Sequence, residues 1–117
     1  MFGDDAERID LAAVVDVECV LDLQRGHPEV MDSLVRMHLE ATTTLMEKLI
    51  VSVDREDLSG VVREAYRLRD LSESIGATAV AAVAGQLEWQ PRRAELVFDL
   101  REAMAATHHA LLTLSDE

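Results

Sequence analysis

The sequence predicts an all-α fold: an up-down four-helix bundle with an additional N-terminal helix, in a single domain spanning residues 1–117. Three observations lead there. Apolar residues recur at three- and four-residue spacing over long stretches, the period of a helix with one buried face. Glycine and proline divide the chain into segments joined by short turns, which makes successive helices antiparallel neighbours. Aromatic residues are confined to Phe2, Tyr66, Trp89 and Phe98, while 49% of the residues are hydrophobic. Aliphatic side chains must therefore fill the core, which suits closely packed helices better than a β-sandwich. The β-branched runs at Val14-Val15 and Ile50 to Val53 are short and lack flanking hairpin chemistry.

Each element has its own signals. The first section, from about Asp5 to Gln24, reads as helix with an interruption near Asp16, a residue able to cap a new helix. Gly26 offers the left-handed conformation that ends helices, and Pro28 suits the first turn of the next one. The second helix is expected from Pro28 to Ile50, with Leu34, Met37, His38, Ala41, Leu45 and Leu49 along one stripe. Asp54 and Asp57 resemble a capping box and put carboxylates near the positive end of the third helix. That helix carries Leu58, Val61, Ala65, Leu68, Ser72 and Ile75 on its core face until Gly76 breaks it. Ala77 to Glu88 forms a short, Ala-rich fourth helix. Pro91 opens the last one, in which Leu96, Leu100, Met104, Leu111 and Leu114 lie along one side.

Composition excludes several functions. The formal charge is −12, from 23 acidic against 11 basic residues. Such a balance argues against general binding to a nucleic acid backbone, which needs Lys and Arg to replace counterions, and against docking on an anionic membrane. Cys19 stands alone, so it has no disulfide or CxxC partner. Met1-Phe2-Gly3-Asp4-Asp5 lacks the basic and apolar regions of a signal peptide, and no apolar run approaches the ~20 residues of a membrane span. The expectation is a cytoplasmic protein with no nucleic acid or membrane partner and no cofactor. Among the histidines, His27 belongs to a turn, His38 shares a face with Leu34, Ala41 and Leu45, and the adjacent His108 and His109 point about 100° apart. They form no metal-ligand pairing. Met31, Met37, Met46 and Met104 read as core filler. With no glycine-rich phosphate loop and no nucleophile constellation, enzymatic activity is not expected.

The third helix and its exit carry a more specific pattern, Glu64-Ala-Tyr-Arg-Leu-Arg-Asp-Leu-Ser-Glu-Ser-Ile-Gly-Ala77, continuing to Val80, Ala84 and Leu87-Glu88. This resembles the signature of histidine-containing phosphotransfer (HPt) domains. There, a histidine is followed by x-Leu-Lys-Gly-Ser-Ser, then a Gly-Ala turn, then a Leu, a small residue and a Leu-Glu pair. Leu68, Ser72, Ile75, Gly76, Ala77, Leu87 and Glu88 stand in matching places, with Val80 and Ala84 as conservative fits and Arg69 in place of the lysine. The resemblance extends over about residues 15–112, taking in the turn at Gly26 and Pro28 and the helix start at Asp54 to Leu58. It implies an HPt-like bundle that takes part in two-component signalling.

Two departures alter that implication. Tyr66 occupies the position of the phospho-accepting histidine, and Asp70 that of the following glycine. A relay needs an imidazole, partly neutral and nucleophilic near pH 7. A phenol with a pKa of about 10 stays protonated there, and its phosphate ester is a poor donor to an aspartate. Asp70 is one helical turn from Tyr66 and should bring like charge to an incoming phosphoryl group. Arg69 has the position to anchor a phosphate, but Asp70 and Glu73 are placed to neutralise it. No catalytic residue is therefore assigned. The resemblance does imply docking of a response-regulator receiver domain or a histidine kinase on the outward face of Ser59, Val62, Arg63, Tyr66, Arg69, Asp70 and Glu73. The expected role is a regulator or competitor that binds without relaying phosphate. The alternative is a structural or oligomerisation module, a homodimer for instance, unrelated to phosphorelay.

Overall fold

A computed structural model describes residues 11–115, and all the elements among them are helices. In chain order these are α1 (Leu11–Val14), α2 (Val17–Gly26), α3 (Pro28–Asp54), α4 (Leu58–Ser74), α5 (Thr78–Trp89) and α6 (Glu95–Ser115). The part of the expected first helix before residue 11 lies outside the described residues. The interruption does fall at Asp16, whose carboxylate accepts from the Cys19 N–H at 3.2 Å and caps α2.

Buried apolar residues form two clusters. Val14, Val15, Val20, Met31, Val35, Ile75, Ala110, Leu111 and Leu114 belong to the first; Met46, Leu49, Val61, Leu68, Leu87, Leu96 and Leu100 belong to the second. Between them, on three helices, lies a polar layer of His38, Thr42, Ser72 and Thr107, all buried. α3 and α5 run from the first cluster toward the second; α4 and α6 return. Each of these four helices packs on the next, and α6 closes back on α3. α2 lies against α3 and α6, and Gln24 Nε2 donates to the Ser115 carbonyl at 2.6 Å.

Several boundaries differ from those expected, each for a local reason. Gly26 is the last residue of α2, and the only glycine with positive φ among the described residues is Gly76. The break after Gly26 comes instead from Pro28, which forces His27 out of the helical region, to φ −145° and ψ 68°. α3 continues past Ile50 to Asp54, because Ile50 and Val53 pack against the second cluster and tertiary burial outweighs the modest β-branched penalty. Asp54 therefore ends α3. Asp57 alone caps α4, accepting from the Gly60 N–H at 3.0 Å.

The stripe on α3 is also rotated. Met37 is 62% exposed, whereas Met31, Val35, His38, Thr42, Met46 and Leu49 are buried. Thr42 can occupy that face because its hydroxyl donates to the His38 carbonyl at 2.7 Å and needs no water. Met104 is only partly buried in α6. Pro91 does not open α6: it sits in a turn with Arg92, and the helix begins at Glu95. There, the Arg93 guanidinium bridges Gln90 at 2.8 Å and Glu95 at 2.9 Å.

Candidate functional site

Both ends of α4 are closed by specific local contacts. At its C-terminal end, Gly76 adopts φ +77°, the Ala77 N–H donates to the Ser72 carbonyl at 2.8 Å, and the Gly76 N–H donates to that of Glu73 at 3.2 Å. This is a Schellman termination. The turn is also a docking point, because the Asp16 N–H donates to the Gly76 carbonyl at 2.8 Å. At the N-terminal end, a methyl at Gly60 would run into the Asp57 carboxylate and the Ser52 hydroxyl. Gly60 thus lets the capping residue and α3 approach together.

With Val61, Ala65, Leu68 and Ser72 buried, the other side of α4 faces outward. Ser59, Val62, Arg63, Tyr66, Asp70 and Glu73 are exposed and Arg69 is partly so. Tyr66 is 52% exposed at the middle of this face.

Arg69 organises the surroundings of Tyr66. Its guanidinium lies over the phenol ring, 5.2 Å from the centroid, as a cation on the face of an aromatic quadrupole. Its Nε donates to Glu88 Oε2 and its Nη2 to Glu88 Oε1 at 3.2 Å, a two-pronged pair from α4 to α5. Nη1 reaches Glu73 Oε1 at 3.3 Å. The two bonds to Glu88, then the one to Glu73, hold the guanidinium protonated well above its ordinary range. Asp70, expected to neutralise Arg69, instead forms no ion pair among the described residues. Glu88 takes that role from another helix, and helical spacing along α4 alone could not reveal it. Arg69 has two carboxylate partners already, so it is poorly placed to receive a phosphate.

Trp89 is a further neighbour that patterning missed. It is 87% exposed at the end of α5, and with Arg69, Gly85, Gln86 and Glu88 it lines an open groove of about 830 Å³. The groove shares Arg69 with the α4 face and carries an aromatic anchor onto α5. The signal was present in the sequence, since Trp89 directly follows the Leu87-Glu88 pair and precedes a turn.

The histidines are elsewhere. His38 is buried, with Nε2 3.2 Å from Ser72 Oγ on α4. Burial, and secondarily His108, lowers its pKa below the ordinary 6.5. A cavity of about 20 Å³ lies among Val35, His38, Thr42, Met104 and His108. Cys19 is a free, partly buried thiol. Among the described residues no three His, Cys, Asp or Glu side chains gather into a metal-ligand group, and no helix is long and apolar enough to cross a membrane. Comparison with family models, curated proteins and solved structures finds no match to this chain.

Proposed function

We propose that this chain is a degenerate HPt-like protein, an up-down four-helix bundle with additional N-terminal helices, that docks a response-regulator receiver domain without relaying phosphate. A histidine kinase offering an equivalent surface is the other partner of this class. The observation that carries the reading is Tyr66 at the centre of the outward face of α4, with Arg69 laid over its ring and held by Glu88 and Glu73. Three positions of the resemblance lend support: Gly76 has the backbone its turn requires, Leu87 is buried, and Glu88 pairs back to the active-helix equivalent. Val62, Tyr66 and Trp89 offer apolar and aromatic area of the kind that anchors protein interfaces. A tyrosine there gives the partner a surface but lacks the ring nitrogen that a relay uses.

The chemistry is tested by incubating the protein with a receiver domain charged by radiolabelled acetyl phosphate. The receiver should keep its label until it hydrolyses, with none on this chain. Label that transfers and disappears in a Tyr66→Phe, His38→Gln or His108→Gln variant would show that a relay exists after all.

A second reading, self-association as a structural module, draws on the exposure of Trp89 and Phe98. Light scattering over a concentration series separates the two. A tight dimer that shields Tyr66 favours the module, and a monomer at working concentration favours receiver docking.

A further inference from the structure

The end of the bundle where α3 stops and α6 starts carries two adjoining open grooves. One, of about 280 Å³, is lined by Ile50 and Val53 of α3 and by Ala94, Val97 and Phe98. Val53 and Ala94 also line the second, of about 560 Å³, which continues past Leu58 and Pro91. Ile50, Val53 and Val97 pack against the second buried cluster. Phe98 belongs to neither cluster and is 63% exposed beside them.

A chain with a formal charge of −12 repels its own copies over most approaches. These two grooves are locally neutral. The first holds one acid, Asp54, and one base, Arg101; the second holds Glu56 and Arg92. None of the four makes an ion pair among the described residues. A partner surface of one charge sign would satisfy half of them and repel the rest. A second copy of the same surface satisfies all of them, because in a two-fold contact residue i meets j of the other copy and j meets i.

We propose that these grooves form the contact of a reversible two-fold dimer of this chain. Phe98 of each copy packs against Ile50 and Val53 of the other, and Asp54 of each faces the other copy's Arg101. Such a dimer rests on the self-association reading, yet its contact lies away from Tyr66. In the ring of four helices α4 packs on α3 and α5, and α6 stands diagonally across from it. Tyr66 therefore stays open to a receiver domain while the chain is dimeric.

The test is sedimentation velocity of the full chain over a concentration series, with thermal melts showing that each variant folds. Association should weaken at least about tenfold in Phe98→Ala, as for a central aromatic anchor, and stay unchanged in Tyr66→Ala. Asp54→Arg and Arg101→Asp should each weaken it about threefold or more, and the two together should recover most of that loss, as a charge pair in a double-mutant cycle does. A dimer indifferent to Phe98→Ala, or one broken by Tyr66→Ala, would leave self-association standing and overturn this contact. A chain monomeric at every concentration would overturn both. A double reversal no better than the single ones would also overturn the contact. So would receiver binding by a monomeric chain that is lost in Phe98→Ala, since it assigns the grooves to that partner. If Phe98→Ala does not fold, the charge reversals decide it.

Discussion

Glu56 and Gly76 occupy the same backbone role at the C-terminal ends of α3 and α4, with φ of 56° and 77°. After α3, the Asp57 N–H donates to the Ser52 carbonyl at 2.9 Å and the Glu56 N–H to that of Val53 at 3.0 Å, so this turn too is a Schellman motif. A left-handed non-glycine residue costs about 1–2 kcal/mol, part of which glycine returns as unfolded-state entropy. Glu56→Gly should therefore stabilise the protein by about 0.5–1 kcal/mol, seen as a higher urea midpoint at unchanged slope. Gly76→Ala should do the reverse and cost about 1–2 kcal/mol. A Cβ there would also sit 3.3 Å from the Asp16 Cβ, pressing on the contact with α2. The glycine announced its turn in the sequence, because that residue type prefers the required conformation. Glu56 gives no such sign, so residue type alone places the boundary between α3 and α4 several residues early.

At the scale of helices, the buried polar layer is where pH acts. In the unfolded chain His38 titrates near its ordinary 6.5; in the folded chain burial, then His108, resists its protonation. Below that pH the unfolded state binds more protons than the folded one, so stability is full above about 6.5 and falls as the solution is acidified through and below it. Thermal melts between pH 8 and pH 5 should show this decline, and His38→Gln should flatten it. A pH-independent melting temperature over that range would mean that the buried imidazole is not linked to folding. The layer also explains what helical periodicity could not supply. The apolar stripes of α4 and α6 were legible because aliphatic residues mark the core there. On α3, by contrast, the buried centre runs through His38 and Thr42, and the hydrophobic Met37 points to solvent. Residue type misleads wherever a hydroxyl is satisfied by its own helix, as that of Thr42 is. Pro91 misled differently: a proline suits a turn as well as a first helical residue, and the Arg93 bridges fix it in the turn.

For the whole molecule, the class of fold followed from aliphatic composition and turn spacing. The arrangement around Tyr66 was only half legible. Which residues face outward on α4 is set by a period of 3.6 within one helix. The partnership of Arg69 with Glu88, and the proximity of Trp89, depend on how α5 packs across α4. That packing couples the proposed docking face to the bundle, so the face is preorganised and not a loose patch of side chains. The most direct measurement is calorimetric titration of a purified receiver domain with the full chain, its Tyr66→Ala variant and its Asp70→Arg variant. The account predicts saturable one-to-one binding that weakens at least about tenfold in Tyr66→Ala, the behaviour of a central interface anchor, and that also changes in Asp70→Arg. Receiver binding indifferent to both substitutions, or no binding to any receiver or kinase encoded beside this chain, would contradict it.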